Sequence, residues 1–181
     1  MYLERTPLWT SNSIELFLFL PANVSSIYVS WLNNPIVNCY LESRFSSHTV
    51  ESTQNFVKNC LADPTTLFLG IRYLESGGGR HVGNIKISSI DKYHGRGEVG
   101  ILIGETDIWG KGIASKAISM LIEIARYELS LRKLTAGCYA SNLGSQKAFL
   151  KAGFQIECQR KAHFLLNGKP EAVVLMAYFI H

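Results

Sequence analysis

A change of hydrophobic period between residues 98 and 140 constrains the fold of this chain more than any other feature. Glu98–Ile103 and Lys133–Ala140 both have the composition of strands. Between them, apolar residues recur every four positions and predict one amphipathic helix to about Leu131; they are Ile113, Ala117, Leu121, Ala125 and Leu129. A strand, a helix and a second strand in this order need a right-handed crossover, so we expect the two strands to be parallel neighbours.

Short turns before this unit predict antiparallel pairing. Leu67–Leu74 and Val82–Ile90 flank the turn Ser76-Gly77-Gly78-Gly79, and Val82–Ile90 reaches Glu98–Ile103 through His94-Gly95-Arg96-Gly97. Connections this short join antiparallel strands, since a parallel connection needs about a dozen residues or more. The pattern therefore predicts a mixed sheet in which antiparallel pairs dominate.

The remaining segments complete an α+β fold in a single domain, residues 1–181, with helices on the sheet. In chain order they are the strand Ser13–Leu20, the helix Val24–Leu32, a helix capped by Thr49 and closed by Pro64, the helix Ser145–Ala152, and a hairpin of Phe154–Phe164 and Glu171–Ile180. In the helix after Thr49, four apolar residues are expected on one face; they are Phe56, Val57, Cys60 and Leu61. A length of 181 residues suits one domain.

Composition and charge exclude several classes of protein. Hydrophobic residues make up 47% of the chain and charged residues 18%, as in packed globular proteins. The formal charge of +4 comes from scattered basic residues, so no nucleic-acid partner is expected. Met1–Thr10 does not resemble a signal peptide and Ile14–Leu20 is too short to span a bilayer, which predicts a cytoplasmic protein without a membrane partner. Four widely spaced cysteines predict reduced, buried thiols and no metal site or disulfide framework; they are Cys39, Cys60, Cys138 and Cys158.

The turn Gly104–Ser115 is the most informative stretch, because it joins a strand directly to the long helix. Gly110 and Gly112 let the backbone approach a phosphate closely, and Lys111 and Lys116 add positive charge. The first amides of a helix lack internal partners and lie at the positive end of its dipole. The stretch lacks both the P-loop pattern GxxxxGK(S/T) and the third glycine of GxGxxG. On this pattern alone, a pyrophosphate site and a simple tight turn both remain open.

Two motifs in this half of the chain are similar to those of one family. Trp109-Gly110-Lys111-Gly112-Ile113-Ala114 resembles the acyl-CoA loop (Q/R)xxGx(G/A) of the GCN5-related N-acetyltransferases (GNAT superfamily), with Trp109 where glutamine or arginine usually stands. Asn142-x-x-Ser145-x-x-Ala148-Phe149-x-x-x-Gly153-Phe154 is similar to NxxSxxxYxxxGF, found in a branch that includes ribosomal-protein N-terminal and bacterial amino-sugar acetyltransferases. The resemblance runs from about Ile14 to the C-terminus. It implies the GNAT fold, in which the parallel strand pair splays apart.

The resemblance also implies acetyl-CoA as co-substrate, no metal, and a set of cofactor-binding positions. Ile101, Leu102 and Ile103 would lie along the pantetheine arm, which pairs with a strand as an added strand would. The positions implied for the cofactor loop are Trp109, Gly110, Lys111, Gly112, Ile113, Ala114 and Ser115. Asn142 would bond to the polar groups of the pantetheine, although it is equally suited to cap the helix Ser145–Ala152. Phe149, in the second motif, completes the set.

A general base is needed because the implied reaction is direct attack of a substrate amine on the acetyl thioester. Glu98, at the start of the central strand, is the predicted base, since the superfamily commonly relays protons through carboxylates at that end. Glu105 and Asp107 beside the loop are alternatives, and Glu98 as an ordinary solvated glutamate is another.

The general acid is a point at which this chain departs from the family. Phe149 stands where many members have a tyrosine that protonates the leaving thiolate, and it has no proton to give. By the resemblance, Ser145 is the predicted substitute, through a hydrogen bond to the sulfur. Tyr139 and bulk water are further alternatives, since a thiol has a pKa close to neutral.

The resemblance implies an N-acetyltransferase that acts on a primary amine. We expect an amino sugar as the acceptor, including its nucleotide-linked form, because Ala136–Asn142 and Glu98–Ile101 look like members from bacterial surface-sugar pathways. The basic and aromatic residues available for such an acceptor are Arg44, His48, Arg72 and Trp31. A protein N-terminal α-amine is the alternative acceptor, and a non-catalytic acyl-CoA-binding module is a further alternative. A homodimer is expected only by analogy.

Overall fold

The computed structural model describes residues 9–11, 13–75 and 78–181 and contains an eight-stranded sheet. The strands are β1 Trp9–Thr10, β2 Ile14–Leu18, β3 Leu67–Glu75, β4 Gly78–Asp91, β5 Arg96–Ile103, β6 Lys133–Tyr139, β7 Gln155–Leu166 and β8 Lys169–Phe179. The α-helices are α1 Ser26–Asn33, α2 Pro35–Asn38, α3 Val50–Ala62, α4 Ile113–Tyr127 and α5 Leu143–Lys151, with 3-10 turns at Pro21–Asn23, Glu42–Phe45 and Thr106–Ile108. The expectations for residues 1–8 and for Ser76 and Gly77 of the first glycine turn lie outside the described residues.

The strand order β1-β2-β3-β4-β5-β6-β8-β7 makes the sheet mixed, as predicted. β5 and β6 are parallel, because α4 carries the chain from one to the other. The other neighbouring pairs of described strands are antiparallel, and β7 and β8 form the predicted hairpin. The α+β class and the predicted order of the main elements are confirmed.

The parallel pair is held together at one end only. Residues 96–98 of β5 pair with residues 133–135 of β6, and in the described chain no further pairing of these two strands follows. β5 continues to Ile103 along β4, whereas β6 continues to Tyr139 along β8. A gap therefore opens between β5 and β6, and we call it the strand gap.

Helices cover the sheet on two faces. α4 and α5 pack against one side in the larger hydrophobic core, which we call the α4 face. α1 and α3 pack against the other side, the α1–α3 face, in a second core that includes Trp31 and Val57. Ile101 and Ile103 of β5 pack on the α4 face, and Leu102 between them packs on the α1–α3 face. This alternation, which is intrinsic to a strand, decides the side of the strand gap on which each residue of β5 lies.

Two helices differ in detail from their predicted form. α4 ends at Tyr127 rather than near Leu131, and the chain enters the left-handed region at Ser130. In α3, the apolar face is only partly buried: Val57 and Cys60 are buried, whereas Phe56 and Leu61 are 45% and 40% exposed. The buried stripe follows positions 53, 57 and 60 at helical spacing, so residues one position outside it stay in solvent.

The cysteines follow the prediction in part. All four lie in the described part of the chain and are free there. Cys60 and Cys138 are buried, but Cys39 is partly exposed, and Cys158 is exposed because most of β7 faces solvent at the sheet edge. Over residues 9–11, 13–75 and 78–181, no cluster of three metal-ligating side chains occurs. None of the described helices is both long and apolar enough to cross a membrane.

Candidate active site

β5 presents part of its main chain to the strand gap. Just beyond its end, the Gly104 amide donates to the Val82 carbonyl at 2.9 Å, so the even-numbered residues of this segment bond to β4. The amides and carbonyls of Ile101 and Ile103 therefore point the other way, into the strand gap. The main chain of Leu102 faces β4, so the cofactor contact predicted for Leu102 would use its side chain.

Trp109 bonds to the last residue of β5 on the side that faces the strand gap. Its indole Nε1 donates to the Ile103 carbonyl at 3.0 Å, while the residue stays 46% exposed. The Ile103 amide and both main-chain groups of Ile101 have no partner within the described chain. The edge therefore retains the donors and the acceptor that an added strand requires.

The turn before α4, which we call the α4 turn, leaves several amides without a hydrogen-bond acceptor in the protein. Gly110 and Gly112 have φ of 77° and 79°, left-handed values that side chains rarely adopt. The Lys111 amide donates to Ile108, and the first bond of α4 runs from the Lys116 amide to Gly112. Within the described part of the chain, no protein acceptor meets five amides, those of Gly110, Gly112, Ile113, Ala114 and Ser115. Such a group of donors at the positive end of a helix dipole suits an anion.

Two lysines add positive charge beside this turn. Lys116 Nζ donates to the Ser13 hydroxyl at 2.8 Å. Lys151 Nζ, at the end of α5, lies 3.7 Å from the point that a Gly112 side chain would occupy. An open groove of about 560 Å³ runs here, lined by Ser11, Ser13, Ser115, Lys116, Ser119, Met120 and Lys151. No sequence pattern marked Lys151, because only the packing of α5 beside α4 brings it to the turn.

Glu98 lies at the closed end of the strand gap. It forms the last pair between β5 and β6, opposite Thr135. Its neighbour Val99 is buried on the α4 face, so the Glu98 side chain projects from the α1–α3 face, where it is exposed. Among the described residues, its carboxylate joins no ion pair. The carboxylate is therefore free to accept a proton from a ligand.

The two alternative carboxylates are held by Arg80. Glu105 accepts from Arg80 Nη1 at 3.0 Å and from the Trp31 indole at 3.2 Å. Asp107 accepts from Arg80 Nη2, and this bond holds the pKa of Asp107 below its usual range. A carboxylate stabilised as an anion is a weaker base, so the geometry favours Glu98 among the three.

Ser145 lies on the opposite face of the sheet from Glu98. Its amide donates to Asn142 Oδ1 at 3.1 Å, which confirms that Asn142 caps α5. Its hydroxyl lies 3.3 Å from the thiol of Cys138, a residue of the core on the α4 face, and burial raises the pKa of that thiol. The predicted base and the predicted sulfur donor are thus separated by the sheet, with the strand gap between β5 and β6 as the opening through it.

Neither Phe149, at the position of the family's usual tyrosine, nor the alternative acid Tyr139 offers a free proton. Phe149 is 2% exposed and packs in the core, so a cofactor contact with it would be apolar. Tyr139 donates to Glu42 Oε1 at 2.5 Å and accepts from Arg44 Nη2 at 2.9 Å. Burial first, and then the bond to Glu42, raises the pKa of Tyr139. Its proton is therefore committed to a protein partner.

The four side chains expected to bind the acceptor substrate already form hydrogen bonds or ion pairs within the protein. Their partners are the Leu165 carbonyl for Arg44, the Ser43 carbonyl for His48, the Glu15 carboxylate for Arg72 and the Glu105 carboxylate for Trp31. Through its bonds to Tyr139 and Leu165, Arg44 ties the turn Glu42–Phe45 to β6 and β7. We call this link the Arg44 bridge.

Sequence comparisons relate the chain to known proteins. A family model described as an acetyltransferase (GNAT) domain matches residues 16–155. The probable N-acetyltransferase YjcK of Bacillus subtilis (strain 168) is 37% identical over 59 residues, which is 33% of either chain. The matched segments cover between 33% and 50% of the length of the first three curated relatives.

Solved structures share the fold over nearly the whole chain. The spermidine N-acetyltransferase of Vibrio cholerae, solved with CoA and spermine, has a TM-score of 0.81 at 17% identity, with 93% of this chain and 96% of that one covered. The Salmonella typhimurium acetyl transferase that modifies the N-terminal serine of 50S ribosomal subunit protein L7/L12 has a TM-score of 0.79 at 18% identity, with 94% and 97% covered. At such identities the likeness concerns the fold.

Proposed function

This chain belongs to the GNAT acetyltransferase family, and from that premise we propose that it transfers the acetyl group of acetyl-CoA to a primary amine. The observation that carries the proposal is the strand gap. β5 and β6 part after three residue pairs, and the gap edge of β5 keeps unpaired main-chain groups. An extended ligand with amides of its own bonds along such an edge as an added strand does, and pantetheine is a ligand of this kind.

The residues around the strand gap and the α4 turn fit acetyl-CoA, which supplies the acetyl thioester. Ile101 and Ile103 would bond to the pantetheine arm. The unbonded amides between residues 110 and 115 would hold the pyrophosphate at the positive end of α4. Lys116 and Lys151 would balance the phosphate charge. Trp109 would border the arm where β5 ends.

In the proposed reaction the amine arrives on the α1–α3 face, where Glu98 is exposed. Glu98 accepts a proton from the substrate ammonium, directly or through water, and this frees the nitrogen lone pair. The carbon–nitrogen bond then forms as the carbon–sulfur bond breaks, and the sulfur keeps the electron pair. The new amide nitrogen gives up its second proton through water to that sulfur, so CoA leaves as the free thiol. Ser145, from the α4 face, donates a hydrogen bond to that sulfur and stabilises its negative charge.

A small amine, with a free amino sugar first, is the proposed acceptor. The Arg44 bridge holds the turn Glu42–Phe45 beside the end of β6, and a turn held in place there favours a small acceptor over a long peptide. An exposed carboxylate without a cationic partner suits an ammonium group. Because Arg44, His48 and Arg72 are engaged by the protein, they are poorly placed to bind the phosphates of a nucleotide-linked sugar.

A protein N-terminal α-amine is the second candidate acceptor. It is favoured by the likeness to the Salmonella typhimurium enzyme that modifies an N-terminal serine. The likeness to the Vibrio cholerae spermidine N-acetyltransferase makes a polyamine a third compound for the same assay. A non-catalytic acyl-CoA-binding module, suggested by Phe149 in place of a tyrosine, predicts binding without turnover.

The test is to incubate the purified protein with acetyl-CoA and a panel of amines while the release of free thiol is recorded. The panel contains free amino sugars, a nucleotide-linked amino sugar, spermidine and short peptides with a free α-amine. We expect thiol release that depends on the amine and is fastest with a free amino sugar. Tight acetyl-CoA binding with equal thiol release in the presence and absence of every amine would contradict acetyl transfer.

A further inference from the structure

Two glycines lie on the α1–α3 face at the edges of the strand gap. Glu98 and Thr135, the last paired residues of β5 and β6, project from this face. Two positions further along each strand, the same face is occupied by Gly100 and Gly137. Beyond the last pair, the first position of each strand on this face therefore carries no side chain.

The backbone does not explain either glycine. Neither Gly100 nor Gly137 has a positive φ, in contrast to the glycines of the α4 turn. Gly137 is exposed, and a Cβ there would lie 3.6 Å from side-chain atoms of Leu175 and Val173, an ordinary contact. Glycine weakens the interior of a strand and often marks a place where a ligand approaches closely. The fold would accept a side chain at position 137, so packing within the protein does not account for a glycine there.

On the α1–α3 face, the edge of the strand gap formed by β6 is less covered by side chains than the edge formed by β5. Across the gap, a Cβ at Gly100 would lie 3.2 Å from Cε of Lys86, the residue opposite it on β4. The Lys86 stem therefore already covers part of Gly100. Around Gly137, the atoms nearest to an added Cβ belong to β8 and lie farther away. Gly137 is thus the less covered of the two positions.

We infer that Gly137, with Gly100 across the strand gap, forms the passage by which the acceptor amine reaches the acetyl group, and that the bare position 137 sets the size of acceptor admitted. The inference rests on the proposed acetyl transfer. The amine nitrogen has to enter the gap while the rest of the acceptor stays on the α1–α3 face beside Glu98. A branched side chain at position 137 would fill this path and would leave the turn before α4 unchanged.

The test is a graded series, Gly137→Ala, Gly137→Val and Gly137→Leu, with Gln159→Leu as the matched control. Gln159 is an exposed strand residue on β7, which β8 separates from β6. For each variant, kcat/KM is measured with the best acceptor of the panel and with ethanolamine, together with the Kd of acetyl-CoA and the Tm. For Gly137→Val and Gly137→Leu we expect kcat/KM for the best acceptor to fall about tenfold or more. The loss should be smaller with ethanolamine, and the Kd of acetyl-CoA should change by less than about twofold.

Three other results would overturn the inference, and they differ in whether acetyl transfer is also rejected. An unchanged kcat/KM, or an equal loss for large and small amines, would remove the passage and keep acetyl transfer. A wild-type protein that acetylates no amine of the panel would remove the proposed function and the passage together. If Gly137→Leu does not fold, Gly137→Ala is used instead, because its added methyl would make only ordinary van der Waals contacts. The kcat/KM values for the large and the small amine are then compared in the same way.

Discussion

At the scale of single residues, the chemistry depends on which carboxylates already have partners. Arg80 binds Glu105 and Asp107, and the Trp31 indole adds a further bond to Glu105. Glu98 is exposed at the closed end of the strand gap and has no such partner among the described residues. The distinction comes from ion pairing rather than from the type of side chain, since all three residues carry a carboxylate.

Glu98→Gln is predicted to lower kcat about a hundredfold or more, because the amide accepts no proton from the substrate ammonium. The Kd of acetyl-CoA should stay unchanged. Steady-state kinetics at saturating amine and calorimetry measure the two quantities. Glu123→Gln, on the solvent side of α4, is the control and should behave as wild type. Unchanged turnover of Glu98→Gln at saturating amine would reject Glu98 as the base.

His81 is held in an aromatic cage on the α1–α3 face. Its ring centroid lies 4.9 to 6.0 Å from those of Phe17, Phe19, Tyr28 and Trp31. Its Nε2 lies 2.8 Å from the Gly83 carbonyl. Burial lowers the pKa of His81 to about 4. The neutral His81 ring therefore packs against Trp31, whose indole donates a hydrogen bond to Glu105.

This cage predicts a loss of stability on acidification. Below the ordinary histidine pKa the unfolded chain binds a proton at His81, whereas the folded chain does so only near pH 4. The free energy of unfolding should therefore fall as pH drops from about 6.5 to 4, with a contribution from this site of at most about 1.4 kcal/mol per pH unit. Denaturant unfolding at several pH values measures it, and His81→Phe should show a shallower dependence. Identical slopes for the two proteins would contradict the prediction.

At the scale of elements, Asn142 at the start of α5 has two roles to separate. It caps the helix, and it is also a predicted contact of the pantetheine arm. Asn142 Oδ1 accepts the Ser145 amide and so provides a bond that the first turn of a helix lacks. Ser145, at the third position of that helix, is thereby oriented with its hydroxyl beside Cys138. The cap accounts for Asn142 structurally, and the pantetheine contact remains a prediction that needs its own test.

Asn142→Ala is predicted to lower the free energy of unfolding by about 1 kcal/mol through loss of the cap. Asn142→Asp keeps a capping oxygen but removes the amide donor, so it should retain stability and bind acetyl-CoA more weakly. Denaturant unfolding and calorimetry separate the two effects. An aspartate variant with wild-type affinity would leave Asn142 as a cap alone.

At the scale of the whole molecule, the sheet consists of two parts with little direct pairing between them. β1 to β5 form one part and β6, β8 and β7 the other, and in the part of the chain that the structure describes only three residue pairs join β5 to β6. The crossover through α4 and the Arg44 bridge supply further connections. A ligand that fills the strand gap would bond to β5 and contact β6, and would therefore stabilise the folded chain as a whole.

Acetyl-CoA is predicted to raise the Tm of the protein by about 5 to 11 °C when its concentration is about 100 times its Kd. Binding only to the folded state adds about 2.7 kcal/mol under that condition, and each kcal/mol is worth about 2 to 4 °C in a domain of this size. Thermal unfolding followed by fluorescence measures the shift. ATP at the same concentration has phosphates but no pantetheine arm and should raise the Tm less; an equal rise would argue against binding along β5.

Much of the fold was predictable from the sequence, because its determinants act between residues close together in the chain. The period-four repeat from Ile113 to Leu129, the cap at Thr49 and the short turns predicted the main elements and the parallel step. Gly110 and Gly112 marked the turn, and their left-handed φ values follow from the same local geometry. Local periodicity missed the exposure of Phe56 and Leu61, since burial depends on what a helix packs against.

The sequence by itself determined the kinds of element, their order and the turn that could hold an anion. Only the tertiary structure decided which acids are paired with Arg80, that Lys151 reaches the α4 turn, and that Gly100 and Gly137 share one face of the strand gap. The physical reason is distance along the chain. Turn, cap and periodic patterns depend on residues a few positions apart, whereas ion pairs, burial and the meeting of two strands depend on residues that only folding brings together.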